Sequence, residues 1–452
     1  MTQKFTTDVV IGLEIHTELA TNTKIFCGCR RAPEKNKEDK PNTRTCPVCL
    51  GHPGSKPVFN KRVLEYALKL CLALGCDISP ELIFSRKSYF YPDLAKNYQI
   101  SQYEIPLGLK GKVRLKSGKE IGITRVHLEE DPASMIHPKG GIGAGGVLID
   151  YNRSGDPLAE IVTEPDMASP EEAREFMNKL ITILDYLEIF DIGNCIIKAD
   201  ANVSIKESGY IRSEVKNVTG FKEIERALFY EVERQKQAVK NQEKLVQDTR
   251  AWNPDKGTTT RLRIKETEAD YGYIIDPDLV KVAIGRDKIE EIKKQMPELA
   301  DEKLEKFKSE HGIADDTAEV IAKDRVLAKV FEKVSSKVEP ELASKWIRRE
   351  LPRVLNYNKK TFDDVDFDEN HLIALLGLIE KKKITDKVGQ KILEKLCEGK
   401  FDVEEYVKKE GLEVADTGDV EKYCKEAITE NQKVAEDIKS GNIKSLNFLV
   451  GQ

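Results

Sequence analysis

The stretch VVIGLEIHTEL, residues 9–19, decides how the first part of this chain folds. Successive side chains of a β-strand point to opposite faces of the sheet, so this stretch has one apolar face and one polar face. The apolar face carries Ile11, Leu13, Ile15 and Leu19. The polar face carries Glu14, His16 and Glu18. A strand that is fit for a hydrophobic core and also aligns two carboxylates with an imidazole indicates chemistry on the polar side.

Four more predicted strands repeat this pattern: GITRVHLEEDP (122–132), PLAEIVTEPD (157–166), KADANVSIK (198–206) and IRSEVKNV (211–218). Their notable polar residues are Arg125, His127, Glu129, Glu130, Glu160, Lys198, Asp200, Asn202, Glu214 and Lys216. Each run alone also fits an ordinary half-exposed strand with polar residues facing water. If the five polar faces converge, they form a concave site in which carboxylates hold a divalent cation and basic groups hold phosphate.

Two close cysteine pairs occur in FCGCRRAPEKNKEDKPNTRTCPVCLG, residues 26–51. Cys27 and Cys29 form the first pair, and Cys46 and Cys49 form the second. Two such pairs separated by a polar loop match a structural zinc site with four thiolate ligands. The alternative is a loop that is metal-free or redox-active. Since four thiolates leave no open coordination position, this zinc would not take part in catalysis.

Aromatic, basic and amide side chains are concentrated in SRKSYFYPDLAKNYQISQYE, residues 85–104. This composition is typical of a surface that stacks the bases of a single-stranded nucleic-acid end and contacts its phosphates. The candidates for this contact are Tyr89, Tyr91, Tyr98 and Lys87. An ordinary aromatic packing loop explains the same residues equally well.

Composition excludes several other classes of protein. The net charge of −5 provides no global basic field for nucleic acid, so any RNA contact needs a local basic patch. No run of about 18 apolar residues is present, which predicts neither a membrane span nor a signal peptide. Nine cysteines, an odd number, favour a reducing cytoplasm over a disulfide framework. No Gly-x-Ser-x-Gly elbow or recognisable cysteine nucleophile is present, so a protein that consumed ammonia would need a partner to supply it.

The order of predicted elements indicates an α+β fold. Residues 1–294 combine a mostly antiparallel sheet with helices near 60–74, 170–187 and 221–244. Strand signals end near Met296, which predicts an all-helical domain at 295–405 and a small helical tail domain at 406–452.

In chain order, the motifs IGLEIHTEL, CPVCLGHPGSKPVFN, RKSYFYPDLAKNYQISQYE, ITRVHLEEDPA, YNRSGDPLAEIVTEPD, ADANVSIK, SEVKNV and FLVGQ resemble the B subunit of the tRNA-dependent aspartyl/glutamyl amidotransferases. The resemblance runs from about residue 8 to the end of the chain. The related archaeal E subunit shares the first motif but normally carries a large inserted domain, for which this chain is too short.

The resemblance implies a fold, an activity and partners. Family members form a "cradle" catalytic domain, a helical domain and a helical tail that helps to hold tRNA. They work in a heterotrimer with an amidase (A) subunit, which releases ammonia from glutamine, and a small C subunit. With ATP and Mg²⁺ they phosphorylate the side-chain carboxylate of Asp or Glu misacylated onto tRNA. Ammonia then displaces the phosphate and gives Asn-tRNA or Gln-tRNA. A zinc-knuckle scaffold that binds tRNA without catalysis is the alternative function.

The resemblance also implies roles for individual residues. By motif, the groups that hold the metal or the phosphates are Glu14, His16, Glu130, Asp200 and Glu214, with Glu129 and Glu160 as second candidates. Strand alternation favours Glu129 over its neighbour Glu130, and a bulge at the end of the strand would reconcile the two assignments. The candidates for ATP or phosphate binding are Arg125, Lys198, Asn202 and Lys216.

The chain departs from the family pattern at two places. Where the family has Asp-Tyr-Arg-Tyr, this chain has Asp270-Tyr271-Gly272-Tyr273, so an arginine is missing. The chain also stops at FLVGQ, where the family tail usually continues, which predicts an incomplete tail domain and weaker tRNA binding.

Overall fold

The computed structural model describes residues 8–31, 39–136, 146–264, 271–414, 417–439 and 450. The chain divides into two compact units, Met1–Ala300 and Asp301–Gln452. The separate tail domain expected at 406–452 stays a prediction, and most of the FLVGQ end lies outside the described residues, as does Asp270. Among the described residues, no helix is long and apolar enough to cross a membrane.

Strands dominate the first unit, as the alternating runs predict. Its described strands are β1 (Val9–Glu18), β2 (Asp77–Ile78), β3 (Glu81–Leu82), β4 (Ser85–Ser88), β5 (Tyr98–Ser101), β6 (Gly108–Arg114), β7 (Glu120–Glu130), β8 (Ser134–Ile136), β9 (Leu148–Asp150), β10 (Pro157–Thr163), β11 (Ile197–Ile205), β12 (Ser213–Thr219), β13 (Asp248–Asn253), β14 (Thr258–Ile264), β15 (Ile274–Ile275) and β16 (Val282–Ala283). Its helices are α1 (Lys61–Ala73), α2 (Pro170–Tyr186), α3 (Phe221–Lys240) and α4 (Arg286–Lys294), with a 3₁₀ turn at Lys206–Ser208.

Nine of these strands form one large sheet in the order β14-β13-β12-β11-β1-β10-β7-β6-β2. The first strand of the chain is therefore the middle strand of the sheet. It pairs antiparallel with β10 on one side and with β11 on the other. Between described strands of this sheet, β12 and β13 form the one parallel pair. The predicted α+β class with a mostly antiparallel sheet is confirmed.

The hydrophobic core lies against one face of this sheet. Ile11, Leu13 and Ile15 of β1 are fully buried in it, together with apolar residues from α1, α2 and α3. Burying a side chain of this size contributes about 1.5–3 kcal/mol. A register slip of one residue would turn the whole apolar set to the other face, so burial fixes the register of β1 and thereby the position of its polar residues.

The first two helices that cover the core begin at residues whose side chains cap them. The side chain of Asn60 accepts a hydrogen bond from the backbone N–H of Arg62 at the start of α1. At the start of α2, Ser169 accepts one from the backbone N–H of Glu172, and Pro170 occupies the first turn. These side chains satisfy backbone donors that have no partner within the helix.

The second unit is helical in its described residues, as predicted from the sequence. Its helices are α5 (Ala300–Ser309), α6 (Asp315–Lys323), α7 (Arg325–Ser335), α8 (Pro340–Lys345), α9 (Leu351–Tyr357), α10 (Glu369–Glu380), α11 (Asp386–Leu396), α12 (Val403–Lys409), α13 (Thr417–Glu430) and α14 (Gln432–Lys439). A π-helical turn, Trp346–Glu350, joins α8 to α9, and a 3₁₀ turn occupies Phe362–Asp364.

Candidate active site and metal centre

The five polar strand runs lie side by side at the middle of the sheet, in the order β12, β11, β1, β10 and β7. In the pairing register, His16 of β1 is opposite Glu160 of β10 and Lys198 of β11. Glu14 is opposite Asp200, and Glu160 is opposite His127 of β7. Directly opposite residues have Cβ atoms about 5 Å apart, so the polar faces form one continuous surface.

His16 is at the centre of an acidic cluster. Its Nε2 atom is 3.4 Å from Oε2 of Glu160, 3.5 Å from Oε1 of Glu129 and 4.0 Å from Oε1 of Glu14. Glu129 and Glu160 are buried, whereas the side chains of His16 and Glu14 are about a quarter to a third exposed. The cluster therefore opens to solvent on the side of β1.

A second imidazole approaches the same carboxylates from β7. Nε2 of His127 is 3.1 Å from Oε2 of Glu160 and 3.9 Å from Oε2 of Glu129. The ring is buried, and its Nδ1 atom has no hydrogen-bond partner among the described residues. One carboxylate, Glu160, is thus shared between two histidines.

The protonation of this cluster reflects competition between burial and charge. Burial alone would lower the pKa of His16, but the carboxylates of Glu160, Glu129 and Glu14 outweigh it and raise the pKa to about 10. Burial would likewise lower the pKa of His127, but the buried carboxylates of Glu160 and Glu129 raise it to about 9. Burial and the nearby charge of Glu160 raise the pKa of Glu14. Three carboxylates packed this closely therefore form a site that is stabilised by nearby positive charge.

The chemistry of these donors fits a hard divalent cation. The ligand atoms of Glu14, His16 and Glu160 lie within 4.8 Å of one another, as do those of His127, Glu129 and Glu160. Carboxylate oxygens are the preferred protein ligands of Mg²⁺, which keeps other positions for water and phosphate oxygens. A cation between these carboxylates would supply the positive charge that the protonated imidazoles otherwise provide.

A second set of charged groups continues the cluster on β11, β12 and β13. Nζ of Lys216 is 2.6 Å from Oδ2 of Asp200 and 3.2 Å from Oε1 of Glu214. Burial would lower the pKa of Lys216, but Asp200 and Glu214 raise it above its usual value. The hydroxyl of Thr249 donates a hydrogen bond of 3.1 Å to Glu214. Asp200 and Glu214 thus lie on the polar face, and the ammonium of Lys216 is held between them.

Glu130, which the family motif favours, has its carboxylate outside this cluster. It accepts hydrogen bonds from the ammonium of Lys96, at 2.5 and 2.7 Å, and from the backbone N–H of Ile100, at 2.8 Å. The bulge expected at the end of this strand is absent, because the β7–β10 register runs without interruption from Val126 to Glu130. Strand alternation therefore brings Glu129, and not Glu130, to His16.

The predicted phosphate-binding residues lie on the same central strands. Arg125 is opposite Val162 in the register, and one of its guanidinium nitrogens is 3.8 Å from Oε1 of Glu160. Lys198 is opposite His16, and Asn202 is opposite both Gly12 and Glu214. Oδ1 of Asn202 is buried and has no hydrogen-bond partner within the described part of the chain.

The four predicted zinc ligands are brought together by the fold. The sulfur atoms of Cys27, Cys29, Cys46 and Cys49 lie within 4.8 Å of one another, and those of Cys46 and Cys49 are 3.9 Å apart. A tetrahedral zinc with Zn–S bonds of about 2.3 Å requires sulfur–sulfur distances of about 3.8 Å. The cluster is therefore able to hold a metal ion such as zinc with little rearrangement.

Electrostatics within the cysteine cluster favour a thiolate at Cys49. The pKa of Cys49 is lowered to about 4, and the largest cause is hydrogen bonding with Cys27. The backbone N–H of Cys46 and the charge of Lys24 also lower this pKa. The backbone N–H of Cys46 donates to the Cys49 sulfur at 3.1 Å. A thiolate is the form in which cysteine binds metal.

The aromatic segment borders the acidic cluster. Tyr98 begins β5, and Ser101 at the end of that strand donates a 3.4 Å hydrogen bond to Glu129. Burial, together with the charges of Asp93 and Glu129, raises the pKa of Tyr89. Tyr91 is 53% exposed and therefore available to a ligand.

Basic side chains lie over the rings of this segment. The guanidinium of Arg86 lies 4.4 Å from the centre of the Tyr98 ring. Nζ of Lys87 lies 4.7 Å from the centre of the Tyr271 ring, and the rings of Tyr103 and Tyr273 stack at 4.1 Å. The missing arginine of the family pattern thus falls between two tyrosines that extend the aromatic surface.

Sequence reasoning missed several of these residues. The pairing of Lys96 with Glu130 and the contact of Thr249 with Glu214 were not predicted, because each joins residues that are far apart in sequence. For Tyr271 and Tyr273, the aromatic Tyr-Gly-Tyr sequence was a usable signal. For Thr249 we find no sequence signal, since the parallel pairing of β12 with β13 is not encoded in a local pattern.

Comparison with known proteins assigns the chain to a family. Residues 9–290 match the family model described as the GatB/GatE catalytic domain, and residues 329–452 match the GatB domain. The chain belongs to the GatB family. The first match contains every residue of the acidic and cysteine clusters. The resemblance read from the sequence motifs is therefore confirmed.

Similar proteins share nearly the whole chain. The B subunit of the aspartyl/glutamyl-tRNA(Asn/Gln) amidotransferase of Caldanaerobacter subterraneus subsp. tengcongensis is 41% identical over 456 residues, which cover 98% of this chain and 94% of the relative. The protein of the same name from Brevibacillus brevis is 40% identical over 459 residues, with the same coverage. That of Haloquadratum walsbyi is 40% identical over 465 residues, covering 98% of this chain and 92% of the relative.

Proposed function

We propose that this chain is the component of a tRNA-dependent amidotransferase that activates and amidates the side-chain carboxylate of Asp or Glu misacylated onto tRNA. It would work with an amidase subunit that supplies ammonia from glutamine and with a small C subunit. The name that its relatives carry supports the substrate class. The observation that carries the proposal is the continuous acidic and basic face formed by β12, β11, β1, β10 and β7.

The size of this face suits the reactants. Five adjacent strands about 4.8 Å apart span about 19 Å from β12 to β7. Lys216 of β12 lies at one side of this span and Arg125 of β7 at the other. A nucleotide triphosphate and an aminoacyl group can lie side by side over such a width, with a cationic side chain near each end.

The proposed reaction has two steps. In the first, an oxygen of the substrate carboxylate attacks the γ-phosphorus of ATP, and the bond to the β-γ bridging oxygen breaks to release ADP. In the second, ammonia attacks the carbonyl carbon of the acyl phosphate, inorganic phosphate leaves, and a proton is lost from nitrogen to give the amide. Phosphorylating a carboxylate depends mostly on positioning and charge neutralisation.

The residues of the cluster meet those needs. Magnesium, when bound, neutralises the negative charge of the phosphate oxygens. Glu14, Glu129, Glu160 and His16 would hold it, since their donor atoms converge. Lys216 and Arg125 would bind phosphate oxygens, and Asp200 and Glu214 hold the ammonium of Lys216 in place.

The aromatic segment would present the tRNA end to this cluster. We assign the terminal nucleotide to Tyr89, Tyr91, Tyr98 and Lys87, because bases stack on aromatic rings and phosphates bind nearby cations. The four cysteines would hold structural zinc. The expected compartment is the cytoplasm, where thiols such as these stay reduced.

The test is amidation by the reconstituted complex with ATP, Mg²⁺, glutamine and both Asp-tRNA(Asn) and Glu-tRNA(Gln). Glu14→Gln and Asp200→Asn should each lower the amidation rate by about 100-fold or more, because each removes a charge that positions phosphate or metal. Glutaminase activity of the partner should persist. Glu164→Gln is the matched control. Glu164 lies in the same run as Glu160, but its carboxylate accepts a hydrogen bond from Thr124 outside the cluster.

Two outcomes decide between the alternatives. Amidation that survives in both variants would overturn the catalytic proposal. Binding of tRNA by the complex without ATP turnover would favour the non-catalytic zinc-knuckle scaffold. Comparing the two misacylated tRNAs in the same assay assigns the substrate.

A further inference from the structure

Lys24 is a fully buried lysine beside the four-cysteine cluster. Its backbone N–H donates a 3.0 Å hydrogen bond to the carbonyl oxygen of Cys29. Its ammonium donates to the carbonyl oxygen of Arg44 at 2.8 Å and to that of Tyr151 at 3.3 Å. One residue thus links the first cysteine pair, through its backbone, to the segment that carries the second, through its ammonium.

Lys24 and Cys49 both pack against Gly155. A Cβ atom at Gly155 would lie 3.5 Å from Cδ of Lys24 and 3.7 Å from Cβ of Cys49, so the two side chains flank this glycine. The charge of Lys24 is one of the causes that lower the pKa of Cys49. Ser154, the residue before this glycine, also contacts Cys49, because its hydroxyl donates a 3.1 Å hydrogen bond to the carbonyl oxygen of Cys49.

Lys24 forms no ordinary ion pair within the described part of the chain. Its two hydrogen-bond acceptors are neutral carbonyl groups, and no carboxylate forms a salt bridge with it in the described part of the chain. The neighbouring guanidinium groups have other partners, since Arg44 pairs with Asp39 and Arg31 pairs with Glu18. The buried carboxyl of Asp156 also lies near Lys24, but burial raises the pKa of Asp156 well above its usual value and favours its neutral form. Burying an ammonium without an ionised carboxylate beside it is costly, so its place in the fold requires an explanation.

Four thiolates around a divalent cation provide that explanation. Together they carry a net charge of about −2, because four negative sulfurs outweigh one doubly charged ion. Cys49 is buried, and water screens such a charge poorly there. A buried ammonium at this position offsets part of the negative charge while the carbonyl groups hold it in place.

We propose that Lys24 is the charge partner of the four-cysteine metal site and that its ammonium is required for tight retention of the metal. The lysine is a positioning and charge-balancing residue and not a ligand. It also joins the metal site to the catalytic sheet, because Tyr151 and Ser154 belong to the segment that leads into β10 and Glu160.

The experiment compares zinc binding by the full chain with Lys24→Gln, Lys24→Arg and Lys56→Met. Glutamine keeps a hydrogen-bond donor for the carbonyl groups but removes the charge, whereas arginine keeps the charge. Lys56 is the matched control, because it lies in the same N-terminal region with its side chain 76% exposed. Zinc affinity is measured by competition with a chromogenic chelator, and zinc content by elemental analysis.

We expect Lys24→Gln to weaken zinc binding by about 10- to 100-fold, the range typical of residues that support metal ligands. Lys24→Arg should recover most of that loss, and Lys56→Met should bind zinc as the unaltered chain does. Zinc affinity of Lys24→Gln within about threefold of the unaltered chain would overturn the proposal.

Melting temperatures separate charge balance from packing. They are measured for the zinc-loaded and the metal-free forms of each variant. Loss of a charge partner reduces the stabilisation that zinc provides, so the difference between the two melting temperatures should shrink in Lys24→Gln. A lysine that only packs and bonds carbonyl groups would lower both temperatures equally and leave the difference unchanged, which would also overturn the proposal.

Discussion

Glu129 and Glu130 are neighbours in the chain, but their carboxylates have different partners. Oε1 of Glu129 lies 3.5 Å from Nε2 of His16, whereas Glu130 accepts two hydrogen bonds from Lys96. The alternation of side chains along β7 separates them. Adjacent, chemically identical residues therefore provide a matched pair for testing which one supports metal binding.

We expect Glu129→Gln to raise the Mg²⁺ concentration needed for half-maximal amidation by about 10-fold or more, since it removes a charge from the donor set. Glu130→Gln should leave that concentration unchanged within about threefold, whatever its effect on the maximal rate. The measurement is a Mg²⁺ titration of amidation at saturating ATP. A larger shift for Glu130→Gln would reverse this assignment and support the family motif.

The exposed ring of Tyr91 provides a test of the tRNA contact. Stacking of a base on an aromatic side chain is worth about 1–3 kcal/mol, so Tyr91→Ala should weaken binding of misacylated tRNA by about 5- to 150-fold. The measurement is the KM for aminoacyl-tRNA in the complex. Tyr210→Ala is the control, because Tyr210 has similar exposure, 48% against 53%, but lies outside this segment. Equal effects of the two changes would contradict the assignment.

The cysteine cluster predicts about one zinc ion per chain. Cys46→Ser should reduce the zinc content well below one equivalent and lower the melting temperature, because structural zinc contributes directly to folding free energy. Cys424→Ser is the control, since Cys424 is exposed and distant in sequence from the cluster. Elemental analysis of protein purified without chelator measures the outcome. Carefully prepared protein that contains no metal would refute the prediction.

Two helical glycines in the second unit predict opposite effects of alanine. At Gly389 in α11, a Cβ atom would lie 2.7 Å from Cδ1 of Ile379 and 2.9 Å from the Trp346 ring, so overpacking should lower the free energy of unfolding by about 1–3 kcal/mol. At Gly377 in α10, a Cβ atom meets nothing within 4 Å. Alanine there should stabilise by about 0.5–1 kcal/mol.

Denaturant unfolding measures this difference. The chain has two tryptophans, so a Trp252→Phe background leaves Trp346 as the single tryptophan, and its selectively excited fluorescence reports on the second unit. The prediction fails if Gly389→Ala unfolds at the same or a higher denaturant concentration than Gly377→Ala.

Asp368 predicts how the stability of the second unit varies with pH. Its side chain caps α10, and hydrogen bonding from His371 is the main cause that lowers its pKa from 3.8 to about 2. A carboxylate with a lowered pKa in the folded state stabilises fully above 3.8, and this contribution is lost as the pH falls from there towards 2. We therefore expect Asp368→Ala to cost about 1 kcal/mol at pH 7 and less at pH 3.

The same tryptophan signal measures this prediction. Asp368→Asn is the control, since asparagine keeps the cap without the charge and should retain most of the stability at pH 7. A difference between the unaltered chain and Asp368→Ala that stays constant between pH 7 and pH 3 would contradict the role of the charge.

The local sequence pattern predicted those parts of the fold and site that depend on residues close together in the chain. Alternation placed His16 and Glu129 on polar faces, and the sequence predicted helices near 60–74 and 170–187. The order of strands in the sheet was not predicted, because pairings such as His16 with Lys198 join positions far apart in the chain. The resemblance to a family supplied the functional roles, and it favoured Glu130, whose carboxylate the geometry places with Lys96.

The central position of β1 has a consequence for how the protein is made. The strand is synthesised before its partners, and β11 is encoded about 190 residues after it. At a synthesis rate of about 5–20 residues per second, the nascent chain carries VVIGLEI without β11 for about 10–40 seconds. A strand with an exposed apolar face and an unpaired edge is prone to aggregate during that interval, so the protein should depend on a chaperone while it is being translated.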